Sequence, residues 1–356
     1  MIIDETDGSF FIILTLIWNV DLFNNYFIIN LIEKGGDYNM KKLISFLLTL
    51  IVLVTLVSSA TMEEIGHTEG WTYKVKEDGT AELCSTSRCI PVEDLIIPDT
   101  VNGIKVTSIA DDAFGSNPSN YPFYSVVVPE GVTSIGTRLF QNFPNLTSVT
   151  LPSTLTAISE SAFDHCYELT SIVIPEGVEV IGKNAFSCCK HLKEVVFPTS
   201  LISIEESAFD LCEELESISI KGNLQSIAKW AFDSCENLSE VNLPDTLTTM
   251  GEGAFRSCES LQNIVLPASL ESVPESVFGG CRHLNTIVIQ EGTKSIEHNV
   301  FSNLDSLRTI TIPASVTNID DHFSVGYNTE IIVPRNSFAA QYFIDHHHED
   351  QLVYSD

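Results

Sequence analysis

Basic residues are scarce in this chain: Lys and Arg total 18 of 356 residues, against 48 Asp and Glu. The formal net charge at pH 7 is −30. So acidic a surface repels the phosphates of nucleic acid and the headgroups of anionic lipid, so neither is an expected partner. Catalytic signatures are missing too. The sequence holds no nucleophile elbow, no phosphate-cradling glycine loop, no H-E-x-x-H helix and no pair of acids in a common setting. It also lacks the D-x-D-x-D-G run of a calcium loop. The reading is a non-enzyme with no cofactor and no dedicated metal site. Beyond residue 60 no apolar run is long enough for a membrane span.

What the chain has is a period. A proline recurs at Pro129, Pro152, Pro175 and Pro198, is Lys221 at the next place, then returns at Pro244 and Pro267, is Gln290, and returns at Pro313, always in steps of 23. An aromatic keeps the same step at Phe140, Phe163, Phe186, Phe209, Phe232, Phe255, Phe278 and Phe301. Cysteine follows at Cys166, Cys189, Cys212, Cys235, Cys258 and Cys281, and leucine opens each unit from Leu146 to Leu307. A unit such as residues 169–191 cannot bury its apolar side chains alone; stacked on copies of itself, it can.

Within the unit, Ile172 and Ile174 alternate with Ser171 and Val173, which is strand period. Pro175 ends the strand, having no N–H for the next ladder bond. Val178 and Ile181 make a second inward-facing segment. Ala185-Phe186 and Cys189 read as a short helical turn closing the coil. The fold class is thus a repeat solenoid, mainly β with short helical turns, forming a rod or shallow arc with a cap at each end. Coils spaced by about 4.8 Å would stack into ladders of isoleucine, phenylalanine and cysteine.

The I-x-I-P strand, the V-x-x-I segment and the A-F-x-x-C-x-x-L return resemble the BspA-type leucine-rich repeats of bacterial surface proteins. The resemblance covers about residues 69–356. Lys221 and Gln290 in the proline column, and Leu139, Val277, Val300 and His322 in the alanine column, depart from it. It implies a secreted or cell-surface protein that mediates protein or cell-surface interaction, plausibly adhesion to a host or other cells. An extracellular protein or a polysaccharide is then the partner. A structural spacer of the cell envelope is the alternative. The oligomeric state is not legible.

The flanks divide the chain. Met40-Lys41-Lys42, the apolar run Leu43–Val57 and Ser58-Ser59-Ala60 read as a signal peptide, 40–60, cleaved after Ala60. Residues 1–39 then read as upstream DNA conceptually translated, because Lys34-Gly35-Gly36 can be encoded by a purine-rich ribosome-binding run ahead of Met40. Removing residues 1–60 takes away 6 acids and 3 bases, leaving 42 against 15 and a formal charge of −27. Residues 61–91 read as a spacer, 61–68, and a capping hairpin in which Asp78-Gly79 turns between two strands. Residues 92–334 are the solenoid, whose first repeat carries two inserts, Val101–Ile104 and Ser116–Tyr121, read as loops. Residues 335–356 are a capping helix with Ser337 as N-cap, then a tail.

Nine cysteines need an account. The six in register read as core thiols, since cysteine packs as a small apolar residue. Cys188 breaks register and reads as exposed or partly so. Cys84 and Cys89 stand apart and are the candidate disulfide of a secreted protein. His346-His347-His348 reads as an exposed helix end with adventitious metal affinity, and the remaining histidines, His165 among them, as scattered exposed residues.

The candidate binding face is the outward side of the first strand in each unit: Ser148 and Thr150, Ser171 and Val173, Glu194 and Val196, Ser217 and Ser219, Glu240 and Asn242, Asn263 and Val265, Thr286 and Val288, Thr309 and Thr311. These residues are small and mostly polar, with no aromatic or arginine among them. Such a face suits a broad, shallow contact and not a small-molecule pocket.

Overall fold

Ser171–Val173 shows how the repeat becomes structure. Its middle residue, Ile172, turns inward and is buried, while Ser171 and Val173 face solvent. The strand is too short to bury a face alone, so it pairs in parallel with Glu194–Val196, Ser171 opposite Glu194 and Ile172 opposite Val195. The partners are one period apart, so like stacks on like. A second short strand per coil, such as Val180–Ile181, pairs the same way with Ala157–Ile158 on one side and Ser203–Ile204 on the other. The described residues of this computed structural model are 64–68, 70–86, 94–114, 123–321, 323 and 325–355. All lie in one unit, Glu63–Asp356.

The return differs from the helical turn that its composition suggests. Asn184 and Cys188 both adopt left-handed backbone angles, with φ of 53° and 58°. Successive N–H groups then alternate in direction. Ala185 donates to Gly182 within its own coil, whereas Phe186 donates to Ala208 of the next; Ser187 donates to Asn184, whereas Cys188 donates to Asp210 of the next. A helix would spend its N–H groups within its own coil. Alternating turns tie neighbouring coils together on the side where there is no strand. Among the described residues the helices are Phe338–Asp345, here α1, and a short 3-10 turn at Glu349–Gln351.

The interior is a set of columns. Phe163, Phe186, Phe209, Phe232 and Phe255 are all fully buried. Their rings stack nearly parallel, with centroids 5.2, 5.1, 5.2 and 5.4 Å apart. That spacing slightly exceeds the strand spacing expected from the sequence. The six register cysteines are buried beside them. Each thiol also donates to a phenylalanine carbonyl in the preceding coil: Cys189 Sγ to Phe163 O at 3.2 Å, Cys212 Sγ to Phe186 O at 3.2 Å, Cys235 Sγ to Phe209 O at 3.3 Å. Cysteine therefore acts as both filler and donor, a role that composition alone does not reveal.

Both ends hold more strand than the sequence suggests. Residues 64–68, read as spacer, form β1 (Glu64–Thr68), which pairs antiparallel with β2 (Trp71–Val75). β2 pairs in turn with β3 (Ala81–Thr86) across a turn where Gly79 takes φ of 78°. β4 (Asp94–Ile96) starts the first strand column. The insert Val101–Ile104, read as a loop, is the turn of an antiparallel hairpin between β5 (Thr100–Val101) and β6 (Ile104–Ile109). Asn102 and Gly103 take φ of 49° and 79° there. Asn-Gly is the preferred pair for such turns, so the signal was present in the sequence. β3 pairs in parallel with β6, so the hairpin covers the open end of the second strand column. At the other end Ser337 accepts a hydrogen bond from Ala340 N and caps α1. The segment read as a tail includes a further strand, Leu352–Tyr354, parallel to Glu330–Val333. The insert Ser116–Tyr121 and the segments 1–39 and 40–60 lie outside the described residues.

Candidate functional site

The sixteen face residues named from the sequence all lie on first-column strands, each pair on either side of an inward-facing residue. From Ser148 and Thr150 to Asn263 and Val265 they are exposed; the middle residue between them is buried in each strand except Ser148–Thr150, where Val149 is half-buried. Thr286, Val288, Thr309 and Thr311 are half-buried. Parallel register places equivalent residues beside one another, so the face consists of two files. One carries Ser148, Ser171, Glu194, Ser217 and Glu240; the other carries Thr150, Val173, Val196, Ser219 and Asn242. The second file is more apolar than its composition implied, because Ile96 and Val127 extend it. Exposures there are 72% at Ile96, 62% at Val173, 46% at Val196 and 49% at Val265. The face thus offers aliphatic groups beside carboxylates.

The return side is chemically different. Its charges pair between coils: Lys183 with Glu206 at 2.9 Å, Lys190 with Glu213 at 2.7 Å and Lys229 with Glu252 at 2.6 Å. Asp233, nearly buried, receives Arg256 through Nε at 3.1 Å and Nη2 at 2.5 Å. Burial first, then the nearby Asp233 charge, raises the Asp210 carboxyl to about 6, although Arg256 pulls the other way.

Several sequence-named residues change standing. Cys84 is half-buried on β3, and Cys89 lies outside the described residues, as does their pairing. The His346 imidazole contacts Tyr342 O at 2.8 Å and stacks on the Tyr342 ring, while the His348 imidazole contacts Gln351 Oε1 at 2.7 Å. Those two rings have separate local partners. Three histidines read as scattered exposed residues are half-buried and paired: His165 with Asp164, His191 with Glu214, His298 with Asp320.

The sequence reading missed one cluster. The ligand atoms of Asp164, His165 and Cys188 all lie within 4.8 Å of one another. A signal existed, because His165 and Cys188 are 23 residues apart and therefore register neighbours. Metal-ligand spacing in a solenoid must be read across the repeat as well as along the chain.

A family model for the BspA type leucine rich repeat region matches residues 107–221 and 202–327, in 6 copies. The chain belongs to the BspA type leucine-rich repeat family. Among solved structures, this BspA-type chain is similar to a leucine-rich repeat protein from Bacteroides ovatus, at 25% identity and a TM-score of 0.54, over 77% of this chain and 80% of that one. It is also similar to the leucine rich repeat protein of T. pallidum, at 28% identity and a TM-score of 0.51, over 56% of this chain and 91% of that one. No curated protein matches it. The family and the fold imply a role in protein–protein interaction or at a surface.

Proposed function

We propose that this BspA-type solenoid is a secreted or cell-surface binding protein, not an enzyme, and that its first-column strand face docks an extracellular protein, plausibly in adhesion. The exposed aliphatic file through Val173 and Val196, bordered by Glu194 and Glu240, supports this reading most directly. Solvent-facing aliphatics in register, held on a rigid sheet, can be desolvated by a partner at low entropic cost. The bordering carboxylates favour a partner with basic residues around an apolar patch. Sugar stacking lacks its usual aromatic platform here, so protein is preferred to polysaccharide. A signal peptide at 40–60, which the sequence suggests, would place the chain outside the cell. Among the described residues no helix is long and apolar enough to cross a membrane.

The test is a surface plasmon resonance titration of the full chain against extracellular-matrix proteins, mucin and polysaccharides at physiological salt. A saturable protein response that V173K/V196K removes, with unchanged circular dichroism, supports the proposal. Flat responses throughout, or a response indifferent to that double substitution, would favour a spacer of the cell envelope.

A further inference from the structure

The return side carries a second site that the strand-face reading does not use. The residue two places after the column phenylalanine is Asn142, His165, Cys188 and Leu211 in successive coils. His165 N donates to Ser187 O, and Cys188 N donates to Asp210 O, both at 2.8 Å. The first bond ties the His165 backbone to the coil that carries Cys188, the second ties Cys188 to the coil after it, and the repeat register sets the imidazole and the thiol side by side. Asp164 completes the group. Its side chain is only 11% exposed, one carboxylate oxygen contacts His165 Nδ1 at 2.6 Å, and the other accepts from Gln141 Nε2 at 2.8 Å. Carboxylate, imidazole and thiol thus converge at one half-open point.

We propose that Asp164, His165 and Cys188 form a three-donor binding site for a borderline-soft divalent cation of the zinc(II) class. The donor set selects the class. Calcium and magnesium take oxygen donors, whereas one oxygen, one nitrogen and one sulfur suit zinc or cobalt in a tetrahedral site with its fourth position open to solvent. The ladder thiols on either side do not compete: Cys166 and Cys189 are fully buried and donate to Phe140 O and Phe163 O. Burial, with Asp164 and Asp210 nearby, pushes the Cys188 thiol up, so without metal it stays protonated at neutral pH. On binding, the Cys188 proton leaves to solvent and a metal–thiolate bond forms. The cation also displaces the proton between Asp164 and His165, which moves to the other ring nitrogen. Those two groups then separate to about 3.3–3.6 Å, as tetrahedral metal bonds of about 2.0–2.2 Å require.

The experiment uses the full chain, reduced with a phosphine, stripped with chelator and titrated with cobalt(II). The expected result is a thiolate-to-cobalt charge-transfer band that saturates at one equivalent, accompanied by visible tetrahedral bands, with zinc(II) displacing the cobalt. C188S abolishes the charge-transfer band, and H165Q, on a half-exposed side chain that leaves folding intact, weakens binding at least about tenfold. A titration without the thiolate band, or with the same band in C188S, would place the cobalt on other cysteines or on His346–His348 and overturn the proposal.

Discussion

The coils from Phe163 to Phe255 and those from Phe255 to Phe301 are built on one repeat but packed differently. In the first region the rings lie within 7° of parallel, at 5.1–5.4 Å. At the boundary the Phe255–Phe278 distance opens to 6.5 Å, with a 20° tilt. Two substitutions coincide with the change. Val277 stands in the alanine column, and its branched side chain needs room beside Phe278. Gly279 and Gly280 replace side chains that elsewhere fill the return, and an open groove of about 580 Å³ lies there, lined by Arg256, Asn299 and Asn303 as well. One bulkier residue and two missing side chains therefore relax a stack that the repeat otherwise holds tight. Interior packing is sensitive at the level of single methyl groups, so the comparison can be tested by substitution.

The largest effect is expected from ring removal. Phe209→Ala, in the tight stack, should cost about 3–5 kcal/mol. Phe278→Ala should cost about 1 kcal/mol less, because its ring already stands 6.5 Å from Phe255 and gives up less contact. Urea midpoints with their slopes would show the difference, and equal losses would break the comparison. Next is the thiol ladder. Cys212→Ala opens a small cavity and removes the donor to Phe186 O, for about 1–2 kcal/mol. A far-ultraviolet melt shows the shift, and no change would mean that the thiols are filler only.

The half-buried carboxyl of the tight region comes third. The Asp210 pKa rises from 3.8 to about 6, chiefly through burial. A pKa that is higher when folded means the neutral form favours folding. That contribution is complete below 3.8 and is lost as pH climbs through about 6. Asp210→Asn should therefore stabilise by about 1 kcal/mol at pH 7, after discounting for a group only half shielded from solvent, and by little at pH 4. Urea midpoints at both pH values, in chelating buffer, decide it; equal shifts would rule out the charge as the cause. The smallest effect concerns the groove. Gly280 has φ of 83°, and an added Cβ would sit 3.4 Å from Ser257 Oγ, an ordinary contact. Asn142 and Asn303 occupy equivalent places with φ of 61° and 60°. Gly280→Asn should move stability by no more than about 0.5 kcal/mol. A larger loss would show that the loosened region depends on its open groove.

Much of this molecule could be read from one unit. The strand at Ser171–Val173, the stop at Pro175 and the buried columns at Phe186 and Cys189 each follow from side-chain alternation and a fixed step. The outward positions of the first strand follow from the same alternation, although their aliphatic character emerges only when Ile96 and Val127 join the file. Asn102-Gly103 carries the signature of a hairpin turn, but it lies in an insert outside the 23-residue register, so the repeat does not place its two strands. The Asp164–His165–Cys188 cluster is not legible from spacing along the chain, because the register brings its members together only across coils.

The sequence by itself determined the period, the inward and outward faces of each strand and the make-up of the core columns, because these depend on local alternation repeated in register. Only the tertiary structure decided that the returns are alternating turns and not helix, that the thiols donate to carbonyls of the preceding coil, and that the ends gain the strands Glu64–Thr68 and Leu352–Tyr354. The physical reason is the same in each case. A backbone N–H or a thiol can be satisfied within its own coil or by the next one, and its partner is not settled until the next coil is in place.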